Sequence, residues 1–296
     1  MKKLFTLGIA LAFACAAYAY PTLTGPTGLA TLPTAAVAPA GQLQIAADYY
    51  DTEGDSTIPL RVLYGVGGNL EFGLLYAFSN QSMVLEVEDD FALTFDADNT
   101  WGLNAKYALP VDLAGFQFAA GAQYLTSDFA VTVVDLLGEF PTEELASIDT
   151  NTTQVYLVGT RAFTLGGDGS PALNGTLGLN WTRMKLDLTG EEIVPESISE
   201  SGFRFFGGLE ALFANNLSLA VEFQTEEEDL GDTDMLWSFV GRYPFTPSLS
   251  AQIGYTNASN IPAMFEGELG ITMLGLNGGG EHNFFAGLNF AWDGTE

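Results

Sequence analysis

Between Leu70 and Phe78 every second residue is apolar: Leu70, Phe72, Leu74, Tyr76 and Phe78 alternate with Glu71, Gly73, Leu75 and Ala77. A strand turns successive side chains to opposite faces, so one face of this segment is greasy and the other tolerates charge. The same alternation recurs along the chain and predicts strands over 42–50, 58–65, 69–78, 101–109, 115–126, 153–164, 172–185, 202–213, 216–226, 235–243, 249–257 and 283–292. About ten alternating residues are too few for a membrane helix and match a tilted strand crossing a bilayer. The count is even, as single-chain barrels of bacterial outer membranes require. The pattern therefore predicts an all-β fold over 42–296, a single antiparallel transmembrane β-barrel of about twelve strands.

The connections alternate in length. Short ones at 66–68, 110–114, 165–171, 214–215 and 244–248 carry glycine, proline or asparagine turn chemistry. Long ones run over 51–57, 79–100, 127–152, 186–201, 227–234 and 258–282. Short periplasmic turns and long extracellular loops are how outer-membrane barrels sort their connections. Within 258–282, residues 266–276 alternate partly, so that loop can contain a further strand. In the last strand Phe284, Phe290 and Trp292 share a face with Ala286 and Leu288. An aromatic so near the C-terminus resembles the signal that barrel insertion machinery reads, although four residues, Asp293 to Glu296, follow it.

Ahead of the strands stand two other segments. Lys2 and Lys3, an apolar run to Ala17 and the small residues Ala17 and Ala19 predict a signal peptide over 1–19, with lipidation at Cys15 as the rival reading. Cys15 is the chain's one cysteine, so neither disulfides nor thiolate metal sites are expected. Residues 20–41 hold Pro21, Pro26, Pro33 and Pro39 and alternate little, which argues against a central strand. They are read as an extended arm, on the periplasmic side or inside the lumen.

Charge changes the picture most. The chain carries a formal net charge of −28, and 29 of its 37 carboxylates fall in the long connections when the fifth is begun at Glu226. No lysine or arginine does. The dense patches are Glu86, Glu88, Asp89 and Asp90; Glu191 and Glu192; and Glu226, Glu227, Glu228 and Asp229. Acidic loops can solvate an apolar protein. They can also form an anionic vestibule that concentrates cations, or bind divalent cations loosely. Nucleic acid is excluded as a partner by the sign of the charge.

On the wall, taking the aromatic face as lipid-facing leaves Arg61, Glu71, Lys106, Arg204, Glu210, Glu222 and Arg242 pointing inward. Outward placement would cost about 2–4 kcal/mol each at mid-membrane. Inside, these charges either pair and partly plug the lumen or form a selective constriction. Arg161 fits neither face clearly, and Arg183 and Lys185 fall at the outer rim within reach of lipid phosphates.

No catalytic constellation is expected. The one histidine, His282, lies in a glycine-rich stretch without a nucleophile motif, and the glycine pairs lack the lysine and hydroxyl of a phosphate loop. Pro26-Thr27-Gly28-Leu29, Pro33-Thr34-Ala35 and Pro39-Ala40-Gly41 resemble the start of the exopolysaccharide-associated, YjbH-like outer-membrane barrels. That resemblance implies an outer-membrane barrel with a link to polysaccharide passage. The expected function is a passive channel for small solutes with cation preference, without cofactor or resident metal, its partners being outer-membrane lipid, the insertion machinery and small solutes or cations. The alternatives are a closed barrel serving as surface anchor, adhesion platform or ion-binding structural protein, and an envelope enzyme using His282.

Overall fold

The computed structural model describes residues 20–52, 55–79, 82–88, 91–135, 143–164, 172–190, 196–214, 216–227, 235–257 and 283–293. The signal-peptide segment, the 258–282 connection, the 165–171 turn and residues 294–296 lie outside them. Fourteen strands are formed among the described residues: β1 (Gln42–Thr52), β2 (Asp55–Gly67), β3 (Leu70–Ser79), β4 (Ser82–Glu88), β5 (Phe91–Ala97), β6 (Thr100–Leu113), β7 (Phe116–Asp135), β8 (Glu143–Thr164), β9 (Ala172–Thr189), β10 (Glu196–Leu212), β11 (Ser218–Gln224), β12 (Leu236–Thr246), β13 (Leu249–Thr256) and β14 (Asn283–Asp293). Twelve of them close a ring in the order β1-β2-β3-β6-β7-β8-β9-β10-β11-β12-β13-β14, and β14 pairs antiparallel with β1. The fold is a closed antiparallel transmembrane β-barrel.

The remaining two strands correct the 79–100 loop. β4 and β5 pair with each other, and β5 pairs along β7 beyond the stretch where β6 pairs with it. The hairpin thus prolongs the β3–β6 pair past the ring. The expected 51–57 loop is likewise a close hairpin, since Thr52 already pairs with Asp55. The 127–152 and 186–201 loops are largely strand too: β7 is 20 residues long, β8 is 22, and Glu196 of β10 pairs with Leu188 of β9. Acidic residues had disguised these extensions. Above the bilayer both faces of a strand can be wet, so the lipid-type alternation ceases while the ladder continues. A crossing needs about 9–11 residues, and β13 has only eight. Among the described residues the ladder therefore rises higher over β7–β10 than over β11–β14.

The opposite end is built from tight turns. Gly68 and Asn69 both take positive φ (60° and 68°), the geometry of a two-residue type I′ hairpin. Ala114 and Gly115 do the same at the β6–β7 turn, where the Asp112 carboxylate accepts the Gly115 N–H at 2.8 Å.

Sidedness follows the two-residue period. On β3 burial alternates strictly from Glu71 to Ala77, with Phe72, Leu74, Tyr76 and Phe78 exposed. Around the ring the exposed face is apolar, and ring pairs mark its two borders. Tyr76–Phe78, Trp101–Tyr124 and Trp237–Tyr255 lie toward the loop end; Phe116–Phe118 and Tyr243–Phe245 lie toward the turn end. Such girdles mark the borders of a lipid-facing band.

The band makes a direct prediction. Replacing outward Leu74 by Arg should lower unfolding free energy in lipid by about 2–4 kcal/mol, read from a urea titration. The same change at exposed Leu145, on the β8 extension, should fall within about 0.5 kcal/mol of zero.

Candidate functional site

The lumen is occupied by the chain's own N-terminal segment. Proline limits ladder pairing in 20–41, and the segment instead folds on itself, with bridges Pro21–Thr27 and Gly28–Pro33. Gly28 has no alternative, because a methyl there would stand 2.1 Å from the Leu32 carbonyl oxygen. Gly25 takes φ +124° and lies on the side chain of Asn104. One side of this plug packs Leu23, Leu29 and Ala30 with wall residues Tyr50, Ala220, Val240 and Phe285. The other packs Leu32 and Ala35 with Ala119, Tyr156, Val158 and Phe206. Of the two placements the sequence left open, the arm takes the lumen.

All seven wall charges singled out from the sequence are buried on the inward face, and sequence reasoning missed an eighth, Asp48. It lies on β1 opposite in parity to Ile45 and Tyr49, so alternation alone could have found it. Gly287 of β14 leaves the room that its carboxylate fills. Asp48 pairs with Arg61 and accepts a bond from Gln252 Nε2 at 2.7 Å.

The charges meet one another and the plug together. Lys106 Nζ is 3.1 Å from Glu71 and also donates to the carbonyls of Thr27 (2.7 Å) and Thr34 (3.3 Å). Glu71 accepts the N–H of Thr27 at 3.0 Å and of Ala38 at 2.7 Å. Glu222 accepts three consecutive plug amides, Ala30 (3.1 Å), Thr31 (2.7 Å) and Leu32 (3.1 Å), with the Thr31 hydroxyl besides. Arg242 sits 3.8 Å from Glu210, donates to the carbonyls of Gly28 and Leu29 and stacks 4.7 Å from the Tyr20 ring centroid. Arg61 donates to the Thr22 carbonyl at 2.8 Å. Unpaired buried charge is costly, and here Arg61, Glu71, Lys106, Glu222 and Arg242 each find an opposite charge or a backbone dipole.

On the loop side of the plug a cavity of about 140 Å³ is bordered by Thr24, Thr31, Gln154, Glu222, Gln224 and Ser238. On β6, buried Asn104 has neither amide atom hydrogen-bonded among the described residues.

The acidic residues are only partly placed. Asp89, Asp90, Glu191, Glu192, Glu228 and Asp229 lie outside the described residues, as does His282; Glu86 and Glu88 fall on β4. Glu226 is exposed, and Glu227 lies over Gly202 on the inward face of β10. Across the extensions Asp128 faces Asp149 and Asp149 faces Asp187, a carboxylate row on the outward side. Burial first, then Asp149 and Asp98, push the Asp128 carboxyl above its usual range. Asp187 is held below its range by hydrogen bonds from Lys185, 2.5 Å away, and Ser197. Arg183 bonds Ser199, and Arg161 stacks between Phe116 and Phe163 at the turn-end girdle. Among the described residues no three His, Cys, Asp or Glu converge as a metal site would need.

No protein-family model matches the chain, and no curated protein matches it. Solved structures similar to it are outer-membrane barrels. The KdgM porin has 9% identity and a TM-score of 0.47, covering 84% of this chain and 99% of its own. The translocator domain of autotransporter NalP from Neisseria meningitidis has 12% identity and a TM-score of 0.48, covering 84% and 87%. The NanC porin has 12% identity and a TM-score of 0.44, covering 84% and 98%. No residue role is carried over from them.

Two predictions follow from the charges. Lys106→Met leaves Glu71 with a buried charge and no ion partner, and should destabilise the barrel by about 3–5 kcal/mol; adding Glu71→Gln should recover much of that loss in the same urea titration. Asp128 binds its proton more tightly folded than unfolded, so its penalty exists above its raised pKa and is relieved as pH falls through it. Asp128→Asn should therefore raise the urea midpoint at pH 7, and the gain should vanish in acid.

Proposed function

We propose that the chain is a passive channel of a bacterial outer membrane for small solutes, shut at its waist by its own N-terminal segment and biased toward cations at its outer mouth. What supports this reading is the inward face itself. A wall needing only to stand would fill its interior with apolar side chains, whereas this one carries Asp48, Glu71, Glu210 and Glu222 against Arg61, Lys106, Arg204 and Arg242. Arg61, Glu71, Lys106, Glu222 and Arg242 spend bonds on a segment that no strand ladder ties in place. The lipid-facing band supplies the membrane, the tight-turn end is periplasmic, and exposed Phe284, Phe290 and Trp292 offer the insertion machinery its C-terminal strand.

The waist is charge-balanced, four against four, and cannot by itself choose a sign. Preference comes from the mouth, where Asp98, Asp128, Asp149, Glu226 and Glu227 stand above a low-dielectric rim that focuses their field. Divalent cations associate there loosely, through the field rather than through a coordination shell. The likeness to YjbH-like barrels rests on proline and glycine that the plug's own turns require, and it adds no solute to this reading. A closed barrel acting as a surface anchor is the second reading, favoured by how fully the plug is buried.

Planar-bilayer conductance separates the two. The full chain should show rare, brief openings. A variant lacking 20–38 should show sustained steps whose reversal potential in a potassium chloride gradient has the cation sign. Glu226→Gln with Glu227→Gln should shrink that potential, and less so in high salt, where the mouth is screened. A deletion variant that keeps heat-modifiable gel mobility and stays silent would leave the closed-barrel reading.

A further inference from the structure

The wall grips the plug by its main chain. Six plug N–H groups are accepted by wall side chains: Thr27 and Ala38 by Glu71, Ala30, Thr31 and Leu32 by Glu222, and Ala35 by Thr160. Six plug carbonyls are met by wall donors: Thr22 by Arg61, Thr24 by Gln123, Thr27 and Thr34 by Lys106, and Gly28 and Leu29 by Arg242. On the plug's side, the polar side-chain contacts with these charges come down to the Thr27 and Thr31 hydroxyls and the Tyr20 ring.

We propose that the solute this waist selects is the short peptide with small side chains, and that the N-terminal segment occupies the waist as a tethered stand-in for it. The proposal rests on the channel reading above and names its substrate class. A peptide offers N–H donors and carbonyl acceptors in alternation, with an ammonium at one end and a carboxylate at the other. Carboxylates and cations paired across the lumen wall answer both features. A sugar offers hydroxyls and has no use for segregated charges, and a bare cation meets as many repelling groups as attracting ones.

Two further observations point the same way. The Asn104 side chain is an amide, with one face that donates and one that accepts, as a peptide bond has. It lies buried at the plug surface with both faces unmet among the described residues. It lies between Gly25 of the plug, where a methyl would stand 2.5 Å from its Nδ2, and Gly73 of β3, where a methyl would stand 2.4 Å from it. A ligand peptide displaced along the waist would complete it. The 140 Å³ cavity next to Thr31 and Glu222, with Gln154 and Gln224 on its border, has room for a small side chain or a few waters.

The test uses the variant lacking 20–38 in planar bilayers, with trialanine as the probe and sucrose as an uncharged, hydroxyl-rich control. Trialanine should block the potassium chloride current in a saturable way, while sucrose leaves it unchanged. Glu222→Gln in the same background should raise the half-blocking concentration by about tenfold, the worth of a hydrogen bond to a charged group. Equal block by both probes, or block indifferent to Glu222→Gln, would overturn the proposal while leaving the channel reading intact. A folded variant silent to salt would overturn both. Should the deletion fail to fold, the full chain carrying Gly28→Ala, whose methyl has no room beside Leu32, supplies the loosened plug. Insensitivity of its current to trialanine would count equally against the proposal.

Discussion

A charge inside a narrow barrel must be answered where it stands. Bulk water does not reach it, and the wall strands hold its Cα at a fixed height by ladder bonds on both sides. Eight such charges face inward here, and three ion pairs, Asp48–Arg61, Glu71–Lys106 and Glu210–Arg242, answer six of them in part. Each of those carboxylates and cations still has unspent hydrogen-bonding capacity, and Glu222 spends its own on the plug amides of Ala30, Thr31 and Leu32. The peptide groups of the plug complete the account. Without them the waist would need ordered water or a ligand in the same places.

This dependence explains the composition of the N-terminal segment. A regular strand or helix would spend its amides and carbonyls internally, leaving little for the wall. Proline and glycine keep 20–38 irregular, so its backbone groups stay available and point in several directions at once. Its leucines and alanines then fill the gaps between the wall's small and aromatic residues, on one side against Phe285 and Tyr50, on the other against Tyr156 and Phe206. Backbone recognition and apolar packing act on different atoms of the same segment.

Much of the wall was legible from alternation alone. The two-residue period assigned Arg61, Glu71, Lys106, Arg204, Glu210, Glu222 and Arg242 to the inward face because a register slip would have put them in lipid. Asp48 obeys the same parity and was passed over because its segment is read through its apolar face. Pairing was less legible: that Lys106 meets Glu71 depends on the β3–β6 register, and β4 and β5 come between those strands in sequence. The strand extensions were hidden for a different reason. Outside the bilayer, Asp128 and Asp149 can occupy the outward face that lipid would forbid, so hydropathy reports a loop where the ladder runs on. The plug was least legible, since what the wall reads is its backbone, which no side-chain pattern encodes.

Solute selection, on this account, is divided between two levels: sign at the acidic mouth and shape at the waist. The closed waist requires the N-terminal segment to sit among the wall charges in the membrane-embedded protein. Disulfide trapping tests that placement directly, because residues 20–296 contain no cysteine. Ala35→Cys with Thr160→Cys joins positions linked by a 2.9 Å hydrogen bond from the Ala35 N–H to the Thr160 hydroxyl. The account predicts that oxidation of intact membranes closes this pair, while Ala35→Cys with Thr256→Cys stays open. Failure of the first pair to close in a folded, heat-modifiable barrel, or equal closure of both, would contradict it.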